Sequence, residues 1–190
     1  MRLFLAINIP EEIKNVLARK LRNLEKRISQ DVKWVKRENW HITLKFIGEA
    51  ERRDIDFIKK NMMIIANNTM QQPISFSRVA AFPHLDTPRV FYLGVEKGSK
   101  EICDIYKDLD FLLKDHFLKG EKKTYTPHLT LARLKKNSKI DEVSNIIKEY
   151  TDLDFGNVSF LMDRISLMNS ILRKDGPVYE EIYSANFVDK

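Results

Sequence analysis

Cysteine is nearly absent: Cys103 is the single one in 190 residues. One thiol excludes an internal disulfide framework and a thiolate zinc cluster, and it suits a reducing cytosol. Cys103 lies in a helix-like stretch beside Ile102 and Ile105, which predicts a small apolar packing residue rather than a nucleophile. Long apolar runs are missing as well. Nothing approaches the ~20 residues that span a bilayer. The opening Leu3-Phe4-Leu5-Ala6-Ile7-Asn8-Ile9 is broken by Pro10, too soon for a signal peptide. These absences predict a cytoplasmic chain with no membrane association. Histidine is scarce too, with only His41, His84, His116 and His128.

What is present belongs to a folded domain. Hydrophobic residues make up 43% and aromatics 10%, which excludes disorder as the main state. The length predicts one domain over residues 1–190, built as two small lobes sharing a core. A chain of this size buries about 70% of its unfolded surface, so its fold needs no disulfide or structural metal. Lys and Arg number 33 against 27 Asp and Glu, a formal charge of +6, which hints at an anionic partner.

Periodicity gives the elements. Leu3, Leu5, Ile7 and Ile9 alternate as a strand. Ile13, Val16, Leu17, Leu21, Leu24 and Ile28 recur at helical spacing behind Glu11 and Glu12, acids that suit a first turn. Further strands are predicted at Val32–Val35, Trp40–Ile47, Ile74–Phe82, Val90–Val95, Tyr125–Arg133, Asn157–Phe160, Ile165–Leu172 and Val178–Phe187. Helices are predicted near Glu51–Asn67, Lys100–Phe117 and Asp141–Tyr150, with a polar loop at Lys119–Lys123. Arg173-Lys174-Asp175-Gly176-Pro177 is a hairpin signal. The predicted class is α+β: two pseudo-symmetric lobes of mostly antiparallel sheet, helices outside, and a central cleft.

Two of the four histidines share one context, His41-Ile42-Thr43-Leu44 and His128-Leu129-Thr130-Leu131. Seven Thr and nineteen Leu in the chain make x-Thr-Leu after a given His about a 0.4% event, so two such hits are hard to ascribe to chance. In a strand, residues i and i+2 share a face roughly 7 Å apart. Each motif therefore projects an imidazole and a hydroxyl together, while Trp40, Ile42, Leu44 and Phe46, and Leu129 and Leu131, form the opposite apolar faces. Two imidazoles can act as an acid–base pair near neutral pH, and threonine hydroxyls can bond phosphate oxygens. The sequence offers no acidic cluster for a metal, no Ser or Cys nucleophile context and no glycine-rich phosphate loop. The pattern suits general acid–base attack at phosphorus without metal or other cofactor. His116 reads as a charge partner at a helix end, and His84 as a loop residue.

These residues resemble the two-histidine phosphoesterases, in particular the RNA 2′,3′-cyclic phosphodiesterases, or 2′-5′ RNA ligase-like proteins. The likeness covers nearly the whole chain. It runs from Met1-Arg2-Leu3-Phe4-Leu5-Ala6-Ile7 and Pro10-Glu11-Glu12 through Asn39-Trp40-His41-Ile42-Thr43-Leu44-Lys45-Phe46-Ile47-Gly48-Glu49. It continues in Pro88-Arg89-Val90-Phe91-Tyr92-Leu93, Pro127-His128-Leu129-Thr130-Leu131-Ala132-Arg133 and Gly176-Pro177-Val178-Tyr179. The resemblance implies a cleft between two antiparallel sheets and hydrolysis of an RNA-terminal 2′,3′-cyclic phosphate to a 2′-phosphate. By carry-over, His41 is the proton donor to the departing 3′ oxygen and His128 the proton acceptor from water. Thr43 and Thr130 hold the phosphate. Arg133 adds a contact, although strict alternation places it on the apolar side unless a bulge intervenes.

Three readings stay open at this point: the hydrolase, a 2′-5′ RNA ligase joining tRNA halves, and a phosphodiesterase of small cyclic nucleotides. A non-enzymatic RNA-binding module is a fourth, but it would show stacking aromatics among dense basic flanks. The expected partner in the enzymatic readings is an RNA end or nucleotide bearing a 2′,3′-cyclic phosphate, handled by a monomer. Lys33, Lys36, Arg37 and Lys45 flank the motif strands and are either cleft cations or ordinary surface.

Overall fold

The fold is known from a computed structural model that describes residues 1–117 and 124–189. The predicted polar loop Lys119–Lys123 lies outside the described residues. The first strand, β1 (Arg2–Asn8), leads into helix α1 (Glu11–Ile28). A short β2 (Val32–Trp34) and a 3-10 turn at Arg37–Asn39 precede the first motif strand, β3 (His41–Glu49). Then come α2 (Asp54–Asn67), β4 (Gln72–Phe82), β5 (Val90–Val95) and α3 (Ser99–Phe117). The second motif opens β6 (His128–Leu134), followed by α4 (Ile140–Lys148), β7 (Ser159–Met162), β8 (Arg164–Arg173) and β9 (Gly176–Asn186). Both motifs thus lie at the start of strands.

The strands form an antiparallel sheet in the order β7-β4-β5-β6-β3-β1-β8-β9, with β2 added to β6. The order divides at the centre into two halves, each ending on a motif strand. The seam is the register pair Ile42 opposite Leu129. The two expected lobes are therefore joined edge to edge through the two His-x-Thr strands. β8 and β9 close the far end as a hairpin whose register runs down to Arg173 opposite Gly176. Gly176 takes φ +119° there, a left-handed backbone that a side chain would strain.

Helices cover one face of the sheet and cross between halves. α1 follows β1 but packs beside α4, where Arg27 pairs with Glu149 and Lys20 donates to the Asp154 carbonyl. α3 follows β5 but packs on α2 and β3. α1 buries Leu17, Leu21, Leu24 and Ile28, each worth roughly 1.5–3 kcal/mol of transfer free energy. Glu11 and Glu12 open it, and Lys26 and Arg27 close it, so its charges oppose the helix dipole. The main core lies on this side and includes Ile42, Leu44, Leu129 and Leu131. A second, small cluster of Phe4, Ala6 and Met168 with Tyr179 lies apart from it and lines the face that carries the cleft. Among the described residues no helix is long and apolar enough to cross a membrane.

Candidate active site

The register at the seam determines what the motifs can do together. With Ile42 opposite Leu129, antiparallel counting sets His41 opposite Thr130 and Thr43 opposite His128. Ile42 and Leu129 are fully buried on the helix side, so the four polar side chains emerge on the other face. All four line one cleft of about 720 Å³.

Each imidazole is held in the same way. His41 Nδ1 lies 2.7 Å from the Asn39 carbonyl, and His128 Nδ1 lies 2.7 Å from the Thr126 carbonyl. A carbonyl only accepts, so both rings donate Nδ1–H backwards and turn Nε2 forward. The Thr43 hydroxyl lies 2.9 Å from His41 Nε2. Aromatic rings fix both planes. Phe4 and Tyr179 stand 5.0 and 5.2 Å from His41, while Phe82 and Tyr92 stand 5.0 and 5.2 Å from His128. Asn39 in turn donates its side-chain N–H to the Pro177 carbonyl, which ties the β8–β9 hairpin to the His41 loop. The Tyr125 hydroxyl donates to the Thr43 carbonyl at 2.8 Å, a bond from the approach to one motif onto the strand of the other.

Burial depresses both imidazoles. His41 is pushed down to about 4, first by desolvation, with Lys14 and His128 adding positive charge nearby. His128 is lowered too, again by desolvation and then by Arg133, against the Thr126 carbonyl, which favours the proton. The charge of a protonated His128 is the smallest of the causes that lower His41.

Arg133 reaches the cleft because β6 is bulged. Tyr92 pairs with Thr130 and Phe91 with Ala132, leaving Leu131 as an extra residue. Leu131 and Ala132 are both buried, and the alternation resumes one step late, so Arg133 faces the cleft with His128 and Thr130. The same device operates in β3. Leu5 pairs with Lys45 and Ala6 with Thr43, leaving Leu44 unpaired. This corrects the sequence expectation for Phe46. It does not join Ile42 and Leu44 in the core but is 59% exposed on the cleft side. Phe46 is His41 plus five, as Arg133 is His128 plus five. That repeat was the available signal for both positions.

The bulge also takes Lys45 out of this cleft and into the wall of the cavity adjoining it. Its side chain is 3% exposed and its Nζ sits 2.7 Å from Asp110 of α3. Arg37 is committed elsewhere, to Glu11 at 2.9 Å and Asn15 at 2.6 Å. Lys33 and Lys36 do line the cleft, along with Arg2. A second cavity of about 570 Å³ adjoins it, sharing Thr43, Phe46 and His128 and walled by Phe82, Tyr106 and Tyr125 with Arg89 at its rim. His84 is exposed in the β4–β5 loop and lines neither cavity. His116 stacks on Phe57 at 4.5 Å, with Nε2 3.4 Å from Asp54. Among the described residues no group of three or more His, Cys, Asp or Glu could hold a metal ion.

Comparison with known proteins gives the following likenesses. The 2′-5′ RNA ligase superfamily profile matches residues 9–172. A Methanocaldococcus jannaschii protein named RNA 2′,3′-cyclic phosphodiesterase is 33% identical over 182 residues, covering 96% of this chain and 98% of that one. TT0787 of Thermus thermophilus superposes with a TM-score of 0.81 at 23% identity, covering 98% of each chain. E. coli LigT complexed with 3′-AMP superposes with a TM-score of 0.75 at 18% identity, covering 98% of this chain and 97% of that one. The two structural likenesses carry the fold.

Proposed function

The chain belongs to the 2′-5′ RNA ligase superfamily, and on that footing we propose that it hydrolyses RNA-terminal 2′,3′-cyclic phosphate to a 2′-phosphomonoester. The observation that carries this reading is the pair of forward-facing Nε2 atoms over one cleft that both motif threonines also line, with the Thr43 hydroxyl 2.9 Å from His41 Nε2. His128 accepts a proton from water as its oxygen attacks phosphorus. The P–O3′ bond breaks, and His41 delivers a proton from Nε2 to the departing 3′ oxygen. The product carries a 3′-hydroxyl and a 2′-phosphate. Thr43, Thr130 and Arg133 bond the phosphate oxygens as charge builds on them. The donor and acceptor roles follow the family assignment.

The depressed imidazoles fit this chemistry in a definite way. An imidazolium whose pKa is about 4 is a strong proton donor once formed. A cyclic phosphate is a monoanion, and placing it between the rings favours the protonated form of either one. Substrate thus brings with it the charge that the free site disfavours. The apolar cavity beside His128, walled by Phe46, Phe82 and Tyr106, is sized and lined to take a nucleoside. The two lobes act as one domain over residues 1–190, because the reaction needs a motif from each. The protein works as a cytoplasmic monomer in RNA processing, with no metal in the reaction.

The test is product identification in the presence of chelator, using an oligonucleotide ending in 2′,3′-cyclic phosphate. The expected product is the 2′-phosphate, identified by its phosphorus NMR shift. A 3′-phosphate product, or no turnover, would refute the proposal. Excess 5′-hydroxyl RNA in the same assay measures joining, which the same acid–base pair could perform with a hydroxyl in place of water.

A further inference from the structure

We propose that the cleft extends beyond the reacting phosphate into a second phosphate subsite, formed by Lys33 and Lys36, which takes the phosphodiester one nucleotide upstream of the RNA end. The inference rests on the hydrolytic reading above and names the part of the substrate that reading leaves open. The cleft wall carries Arg2, Lys33, Lys36 and Arg133 against one carboxylate, Asp175. A cyclic phosphate has a single negative charge, and the imidazoles, the threonine hydroxyls and Arg133 already meet it. The charge on Lys33 and Lys36 is then surplus to the reaction.

The sheet register makes that surplus specific. Lys33 of β2 lies directly opposite Arg133 of β6. Like charges directly opposite in a ladder destabilise a sheet. Here no carboxylate lies within 4.0 Å of Lys33, Lys36 or Arg133 among the described residues. The other cations near the motifs are neutralised: Arg37 by Glu11 and Lys45 by Asp110. Arg2, on β1, has Glu49 opposite it in the β1–β3 ladder but no carboxylate within 4.0 Å among the described residues, and it adds a further cation to the cleft wall from another strand. On the β2 side, Lys33 and Lys36 therefore form an uncompensated pair next to Arg133. Among the described residues β2 pairs with β6 alone, and Lys33 and Lys36 are both exposed.

Substrate chemistry fixes the direction. A 2′,3′-cyclic phosphate closes the 3′ end, so RNA leaves the site from the 5′ oxygen of its last nucleoside. The next anion along the chain is the phosphodiester on that oxygen. A cyclic nucleoside with a free 5′-hydroxyl has nothing to offer Lys33 and Lys36.

The experiment compares kcat/KM for three substrates: a nucleoside 2′,3′-cyclic phosphate, the same compound with a 5′-monophosphate, and a dinucleotide ending in the cyclic phosphate. Each is measured with the wild-type protein and with K33Q/K36Q, at 50 and 200 mM salt. The wild type should prefer the dinucleotide by about tenfold, with a log–log salt slope steeper by about 0.7 for the one added phosphate. The 5′-monophosphate should gain as the dinucleotide does, since phosphate rather than base is read. In K33Q/K36Q both gains should vanish, while the plain cyclic nucleoside keeps its rate within about twofold, as solvent-exposed contacts to phosphate alone were removed. Equal rates on all three substrates in the wild type would overturn the subsite. So would a gain confined to the dinucleotide, or an equal loss on all three in the variant. Failure to hydrolyse any of them would instead overturn the reaction itself.

Discussion

Titrating turnover tests the two-imidazole site without changing a residue. The reaction needs one ring protonated and the other neutral, and the two rings lose their protons in two successive steps. Burial holds His41 at about 4, and His128 below its ordinary 6.5. The singly protonated pair therefore peaks on the acid side of 6.5, and its population falls tenfold per pH unit above the upper step. Taking 6.5 as the ceiling for that step, pH 8 lies at least ~1.5 units beyond it. The predicted kcat/KM at pH 8 is then at least ~30-fold below its plateau. The profile of kcat should sit at higher pH, because bound phosphate monoanion favours the protonated rings. Stability follows with the opposite sign. A ring with its folded-state pKa depressed from 6.5 to about 4 contributes stability that is complete above 6.5 and lost as pH falls through that window. The full displacement corresponds to about 3 kcal/mol, an upper value for a ring that keeps some solvent contact. The assay is initial rate at subsaturating cyclic substrate from pH 4.5 to 9, with the imidazole resonances titrated by NMR in parallel. A kcat/KM that holds level or rises from pH 6.5 to 8 would refute the reasoning, as would free-protein imidazoles titrating at or above 6.5.

Three substitutions extend the test. Arg133→Gln should lower kcat/KM by about 10- to 100-fold, the worth of a charge-assisted bond to phosphate. It should also move the alkaline limb upward, because Arg133 is one of the causes that depress His128. Tyr125→Phe removes the bond to the Thr43 carbonyl and should cost about 1 kcal/mol in chemical denaturation, with a loss of kcat as the two motif strands lose a tie. Lys45→Met strands Asp110 beside an apolar side chain. Because Asp110 is partly exposed, the cost should be about 1–2 kcal/mol, less than for a fully buried pair. Its kcat should hold, since Lys45 lies outside the cleft of the two motifs, while KM should rise, because Lys45 lines the adjoining cavity that takes the nucleoside; a collapse of kcat in a folded variant would contradict that placement.

Much of the site was legible from two features, the scarcity of histidine and the period of a strand. His41 with Thr43 and His128 with Thr130 needed only the i, i+2 rule. Alternation stopped being reliable at Leu44 and Leu131, where each motif strand gains a residue. A bulge is a property of two strands and their register, so no single strand's periodicity reports it. That is why Phe46 was expected in the core and Arg133 on the apolar side, and why Lys45 was counted among the flanking cations. The helical faces were likewise readable from Leu17, Leu21 and Leu24, but their destinations were not. α1 and α3 each pack beyond the strand they follow, a choice made by contacts distant in sequence. The 3-10 turn at Arg37–Asn39, which presents the Asn39 carbonyl to His41, carried no hydrophobic pattern to reveal it.

The central claim is that His41 and His128 act as one unit on one phosphate. A double-substitution cycle measures this directly, using His41→Ala, His128→Ala and the double variant on the dinucleotide cyclic phosphate. Groups that act together are strongly non-additive. Each single variant should lose at least about a thousandfold in kcat/KM, and the double variant should lose little more than either. Losses that multiply in the double variant, or a single variant that turns over near the wild-type rate, would contradict the account.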